Sequence, residues 1–219
     1  MNNYGNLYFE NSQSNTNWQH IMALERLFYK NLEVRTLLLL CGKSCAGKDT
    51  IQKELIKIGM KSVVTYTKRP PRNYETDGIT YHFISKDEFL KKKEEGFFAE
   101  TTFYDVSTGD RWYYGSAVED LSDDKVIIVN PHGLKQFKKL PELNPISFCI
   151  TAGEETIWNR LRERGDNAAE ARRRLNADDE DFKDIDKVVD FSFSNDLGLK
   201  PELLAEMIFY TYNKIKNIR

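Results

Sequence analysis

The chain has 219 residues, 40% of them hydrophobic and 30% charged, and its 32 Lys and Arg against 34 Asp and Glu leave a formal net charge of −2. That length suits one α/β domain with inserted subdomains and a substantial core, while the near-balance of charge argues against a basic nucleic-acid surface. No apolar run reaches membrane-spanning length and no secretory leader is legible, and the three cysteines (Cys41, Cys45, Cys149) lack metal-ligand spacing and fit a reducing cytoplasm.

Residues 1–17 are rich in Asn and Ser without periodicity, so disorder is expected. Ile21, Leu24, Leu27 and Phe28 then recur at helical spacing and predict an N-terminal helix that packs on the core. The run Leu37-Leu38-Leu39-Leu40-Cys41 predicts a buried strand. It leads into Gly42-Lys43-Ser44-Cys45-Ala46-Gly47-Lys48-Asp49-Thr50, after which Ile51, Leu55 and Ile58 mark a helix stopped by Gly59.

Strand, glycine-bearing loop and helix in that order make a phosphate-binding loop. Glycines let backbone N–H groups turn inward around a polyphosphate, and the helix N-terminus adds partial positive charge. Lys48 is placed to reach the outer phosphates of a nucleoside triphosphate. The next position normally carries the hydroxyl that binds Mg2+, but here it is Asp49. Thr50 is expected to supply the hydroxyl and Asp49 a carboxylate that reaches the ion partly through water.

Residues 62–68 alternate like a strand, and Tyr81-His82-Phe83 reads as another. Ser85-Lys86-Asp87-Glu88 is a capping box opening a helix that Gly96 closes. A strand is expected over residues 97–103, followed by a turn-rich stretch, with Trp112-Tyr113-Tyr114-Gly115-Ser116 ending this region. Apolar strands follow at 125–130 and 146–151. Thr151-Ala152-Gly153-Glu154 reads as a second capping box for a helix to Arg164, and a highly charged helix runs from Ala168 to about Lys183. Phe191-Ser192-Phe193-Ser194 is a last strand, and Pro201 opens a closing helix. Strands alternating with helices predict a parallel sheet covered on both faces. The three histidines (His20, His82, His132) are unclustered and read as structural.

Arg69-Pro70-Pro71-Arg72 sets two arginines three apart on a stiffened turn, a fork suited to a dianionic monophosphate, with Tyr81 and Tyr114 as hydroxyl donors. The whole run Thr65 to Arg72, then Glu75, Gly78, Tyr81-His82-Phe83, Tyr114-Gly115-Ser116, Arg164-Gly165, Arg173-Arg174-Leu175 and Asn195-Asp196, resembles the guanylate kinase family over roughly residues 36–215. The resemblance implies an acceptor phosphate held by Arg69, Arg72, Tyr81 and Tyr114. It also implies a guanine read by Glu100, with Thr65, Ser116 and Asn130 around the acceptor. A carboxylate can accept from both N1–H and the 2-amino group of guanine, a pair of donors that adenine lacks. The resemblance selects Arg164 and Arg174 as lid arginines, leaves Arg160, Arg162, Arg172 and Arg173 as solvated helix charges, and puts Asn195 in the loop that holds the adenine of ATP. The chain departs from the family where Ile128 and Asn130 replace two aspartates, and in a longer segment between Glu100 and Tyr114.

The implied fold is α/β: a three-layer P-loop NTPase core with a parallel sheet (residues 36–61, 117–160 and 183–219), a β-rich acceptor insert (62–116) and a helical lid (161–182). The implied reaction is ATP-dependent phosphorylation of GMP or dGMP, with Mg2+ and no covalent intermediate. A kinase for another (deoxy)nucleoside monophosphate or a phosphorylated sugar is one alternative. A guanylate-kinase-like protein-binding module without catalysis is the other. Small-molecule nucleotides are the expected partners of a cytoplasmic monomer or homodimer, with no nucleic acid or membrane.

Overall fold

The computed structural model describes residues 34–218 apart from 74, 107–108, 166 and 197–198. The segment expected to be disordered and the helix expected after it lie outside the described residues. Near the start of the described residues, Arg35 pairs with Leu143 and donates its guanidinium to the carbonyls of Val118 (3.3 Å) and Leu121 (2.8 Å).

A five-stranded, wholly parallel sheet forms the centre. Its strands are β1 (Leu38–Cys41), β2 (Lys61–Ser62), β7 (Lys125–Ile128), β8 (Ile146–Thr151) and β9 (Phe191–Ser194), in the order β2-β7-β1-β8-β9. The unbroken apolar run of β1 follows from burial on both faces. Leu38 and Leu40 pack with Ile51 and Leu55 of α1 (Lys48–Lys57) and with Ile208 and Tyr212 of the closing helix, Pro201–Lys216. Leu37, Leu39 and Cys41 pack on the opposite face with Leu134, Phe137, Phe182 and Ile185. β1 lies between β7 and β8, so the loop leaving its C-terminal end opens at the place where open α/β sheets bind ligands.

A second, four-stranded sheet in the order β4-β3-β6-β5 forms the insert. Its strands are β3 (Tyr66–Thr67), β4 (His82–Phe83), β5 (Phe98–Asp105) and β6 (Arg111–Ala117). The strand expected over residues 62–68 is two strands in two sheets: β2 pairs with β7, and β3 pairs with β4 and β6. Alternation reports a half-buried extended chain but not a change of partner. Trp112–Ser116 is not merely the end of a turn region but part of β6, which pairs antiparallel with β5 along its length.

The capping box of α2 (Lys86–Glu94) forms, with Ser85 Oγ accepting from the Glu88 N–H at 3.2 Å. A short helix unforeseen in the sequence, α3 (Pro131–Phe137), follows β7. Asn130 caps it, Pro131 opens it and Gly133 interrupts its apolar pattern. The second capping box does not form. Gly153 is the N-cap of α4 (Glu154–Arg164), and Thr151 Oγ1 instead lies 3.3 Å from the Phe193 carbonyl. Asp196 supplies the missing acceptor, taking the Gly153 N–H at 2.6 Å. The charged helix α5 spans Ala168–Asp181, and α6 is the closing helix already named.

Candidate active site

The phosphate loop is shaped by two glycines. Gly42 has φ 149°, and a Cβ there would stand 2.2 Å from the Ile150 carbonyl oxygen in β8. Gly47 has φ 100°, and its Cβ would stand 2.2 Å from Asn195 Nδ2. Between them Cys45 takes a left-handed φ of 59° and Ala46 is buried. Lys48 curls over the loop, its Nζ donating to the carbonyls of Gly42 (2.8 Å) and Lys43 (2.9 Å). Burial lowers the lysine's pKa, and the nearby carboxylates of Asp49 and Asp178 act against that shift.

Two side chains hold this loop from β9 and α4. Asn195, only 3% exposed, donates Nδ2 to the Ala46 carbonyl at 2.8 Å. Its buried amide nitrogen is therefore committed to shaping the loop. Arg160 donates to the carbonyls of Cys45 and Ala46, each at 3.1 Å, and to that of Asn195 at 2.7 Å. It is thus a built part of the site and not a solvated helix charge, a role that its place in an arginine-rich helix concealed. Arg172 does lie on the surface, over the Trp158 ring at 5.4 Å.

Helices α4 and α5 meet at Gly165 (φ 73°), with Arg164 exposed in the last turn of α4 and Arg174 half-buried on α5. The end of α5 reaches the phosphate loop through its acids. Asp178 Oδ2 accepts the Ser44 backbone N–H at 2.6 Å, and Asp179 Oδ1 lies 2.5 Å from Lys43 Nζ. These contacts had no sequence signal, because carboxylates in a charged helix look like solvated surface.

The insert gathers the expected acceptor residues. Arg69 is 4% exposed and forms a two-pronged pair with Glu75, NH1 to Oε2 at 2.8 Å and NH2 to Oε1 at 2.7 Å. Glu75 Oε2 also accepts the Arg72 backbone N–H at 2.7 Å, so one carboxylate fixes both arginines of the fork. Glu75 keeps its charge because the Arg69 hydrogen bond holds its carboxyl below the usual range. The Arg69 guanidinium lies 5.1 Å from the Tyr81 ring centre, and Tyr81 stands edge-on to Tyr114 with centroids 6.2 Å apart. Arg72 itself is exposed, and Thr65 lies half-buried just before β3.

Glu100 and Ser116 are opposite each other on β5 and β6, and Ser116 Oγ donates to Glu100 Oε1 at 2.9 Å. Glu100 is 6% exposed, and burial pushes its carboxyl up to about 7 against the hydrogen bond from Ser116. Glu100 Oε2 and Asn130 Oδ1 flank the same point, 3.2 and 3.4 Å from where a Gly133 Cβ would stand. Glu100, Ser116 and Asn130, expected residues from three separate segments, thus face one corner.

Asp49 and Thr50 are exposed in the first turn of α1. Asp49 raises the pKa of Lys48 and also that of the Tyr81 phenol, so its charge is felt on both the loop and the insert. One carboxylate and one hydroxyl fit a hard cation whose other ligands are phosphate oxygens and water. Among the described residues no three His, Cys, Asp or Glu come together as a metal cluster.

A family model described as guanylate kinase matches residues 34–201. The chain is 31% identical over 187 residues to a guanylate kinase of Clostridioides difficile, covering 84% of this chain and 91% of that protein. It is 32% identical over 151 residues to a guanylate kinase of Nitratidesulfovibrio vulgaris, covering 64% and 70%. The fold is similar to the crystal structure of guanylate kinase from Anaplasma phagocytophilum, with a TM-score of 0.62 at 21% identity over 83% of this chain and 86% of that one.

Proposed function

Because the chain belongs to the guanylate kinase family, we propose that it transfers the γ-phosphoryl group of ATP to GMP, giving ADP and GDP. The observation that carries the guanine assignment is the buried Glu100, braced by Ser116 and set apart from the arginine–tyrosine cluster on the same sheet. A carboxylate there accepts from guanine N1–H and the 2-amino group. Leaving a buried acceptor unpaired costs about 1–3 kcal/mol, which disfavours adenine.

In this reading Arg69, Arg72, Tyr81 and Tyr114 hold the acceptor phosphate, and Glu75 keeps the arginine fork in place. The loop from Gly42 to Thr50 binds the ATP phosphates through backbone N–H groups and Lys48. Arg164 and Arg174 approach on α4 and α5 to stabilise charge spread over the transferring group. The nucleophile is already an anionic phosphate oxygen, so alignment and electrostatics carry the reaction without a strong general base. Asp49 and Thr50 would hold Mg2+, which supplies charge neutralisation at the phosphates when bound. Closure of α5 over the loop excludes water and suppresses hydrolysis of ATP. No helix among the described residues is long and apolar enough to cross a membrane.

The test is a coupled assay with ATP and Mg2+ against GMP, dGMP, AMP, CMP, UMP and dTMP. GMP or dGMP should be the best acceptor. Faster turnover of AMP or dTMP would sink the guanine assignment while leaving the kinase chemistry standing.

A further inference from the structure

Residue 130 carries an amide, and its hydrogen bonds are fully assigned by chemistry. Asn130 Oδ1 accepts the Gly133 backbone N–H at 2.8 Å, a group that can only donate. The Nδ2 end therefore faces β5, where it donates to Thr102 Oγ1 at 2.9 Å and to the Tyr104 hydroxyl at 3.1 Å. Both amide protons are used. Each hydroxyl accepts from Asn130, so each must direct its own proton elsewhere. Among the described residues neither hydroxyl has an acceptor. An aspartate at this position would reverse the pattern, since its free oxygen could take both protons. The amide thus turns an acceptor corner into a donor corner.

These donors stand on the acceptor face. Glu100, Thr102 and Tyr104 alternate along β5 and lie opposite Ser116, Tyr114 and Trp112 of β6. Tyr104 is edge-on to Tyr114 with centroids 5.7 Å apart, and Trp112 lies 5.9 Å from the Arg69 guanidinium. Tyr104 is 45% exposed as a whole residue, and desolvation at its hydroxyl raises the phenol's pKa, so it keeps its proton at working pH. Resting on the reading of this face as the acceptor site, we propose that Tyr104 is a further acceptor-binding residue. It donates its hydroxyl proton to an oxygen of the acceptor nucleotide, and Asn130 is the positioning residue that turns the proton outward.

Tyr104→Phe removes one neutral hydrogen bond and keeps the ring. The KM for GMP should rise about three- to tenfold, with kcat and the KM for ATP unchanged within a factor of about two. The same substitution in an Asn130→Asp background should have little effect, because the carboxylate already holds the proton; a merely structural tyrosine would show no such coupling. Comparing dGMP tests one source of the oxygen: a loss confined to GMP assigns the ribose 2′-hydroxyl, and an equal loss with dGMP assigns an oxygen that the two nucleotides share. An unchanged GMP KM, an equal loss in the KM for ATP, or the same loss in both backgrounds overturns the proposal. If the acceptor panel favours another nucleotide, the GMP reading fails separately, and the Tyr104 comparison is made on that nucleotide.

Discussion

The phosphate loop and the acceptor corner are built on opposite principles. The loop is contiguous, residues 42–50, and its working groups are mainly backbone N–H groups posed by a strand end, two glycines and a helix start. The acceptor corner gathers side chains from residues 69–75, 81, 100–104, 114–116 and 130–133, brought together by an antiparallel sheet and a short helix. A backbone site tolerates varied side chains but not altered backbone geometry. A side-chain site depends on which groups pair inside it.

The largest effect is expected at the loop. Gly42→Ala places a methyl 2.2 Å from the Ile150 carbonyl, a backbone atom of β8 that cannot swing aside, and does so at a φ that L-residues rarely adopt. ATP-dependent turnover should fall by about a hundredfold or more, the scale for losing preorganised donors. Retention of near-normal turnover would show that the loop is not the donor site.

In the acceptor half the sensitive element is the buried pair. Arg69→Ala leaves Glu75 buried without its partner, both side chains being 4% exposed in the pair. Breaking such a pair from one side costs about 3–5 kcal/mol, readable as lost stability in urea unfolding. Arg69→Ala with Glu75→Gln should recover much of that stability but not the affinity for the acceptor phosphate. Recovery of both would mean that Arg69 serves the fold alone.

The same contrast explains what could be read beforehand. The loop, its strand and its helix are local, so Gly42, Gly47 and Lys48 stand out by spacing, and β1, β7 and β8 show as apolar runs. The arginine fork of Arg69 and Arg72 was legible from its proline-stiffened spacing, but Glu100 could be named only through family resemblance, because nothing local says that Glu100 will face Ser116 or that Glu75 will clasp Arg69. The sheet switch between Ser62 and Tyr66 was invisible because alternation does not name a partner strand. Helix α3 was hidden by Gly133, and Asp196 replaced an expected cap that Thr151 does not make. Arg160 and Asp178 were missed for one reason: charge in a charged helix carries no mark of where the helix will dock.

Glu100 gives a pH test of the acceptor half. A glutamate titrates near 4.5 when unperturbed and at about 7 in this buried site. Between those values the native protein holds a proton that the unfolded chain has lost. This group's contribution to stability is therefore present below pH 4.5, falls as pH rises to about 7, and is constant above. In the proposed reading guanine binding runs the other way, because accepting from N1–H and the 2-amino group requires the ionised form. At pH 6 the KM for GMP should be about tenfold higher than at pH 8. Glu100→Gln should flatten that limb, leaving only titration of the nucleotide's own phosphate. A wild-type profile with no inflection near 7 would place the base reader elsewhere.

The smallest expected effect lies where a side chain intrudes on the backbone site. Asp178 is bound by the Ser44 N–H as an anion would be, and Asp179 extends the contact through Lys43. A carboxylate in that position repels an incoming triphosphate and competes for one of the loop's donors. The Lys43–Asp179 pair is exposed, with side chains 40% and 63% accessible, and adds little. Asp178→Asn keeps the shape and hydrogen-bonding capacity but removes the charge. It should lower the KM for ATP about threefold, with a larger change at low ionic strength and none in the KM for GMP. A raised KM for ATP would mean instead that Asp178 orders the loop for nucleotide, making α5 a support and not a competitor.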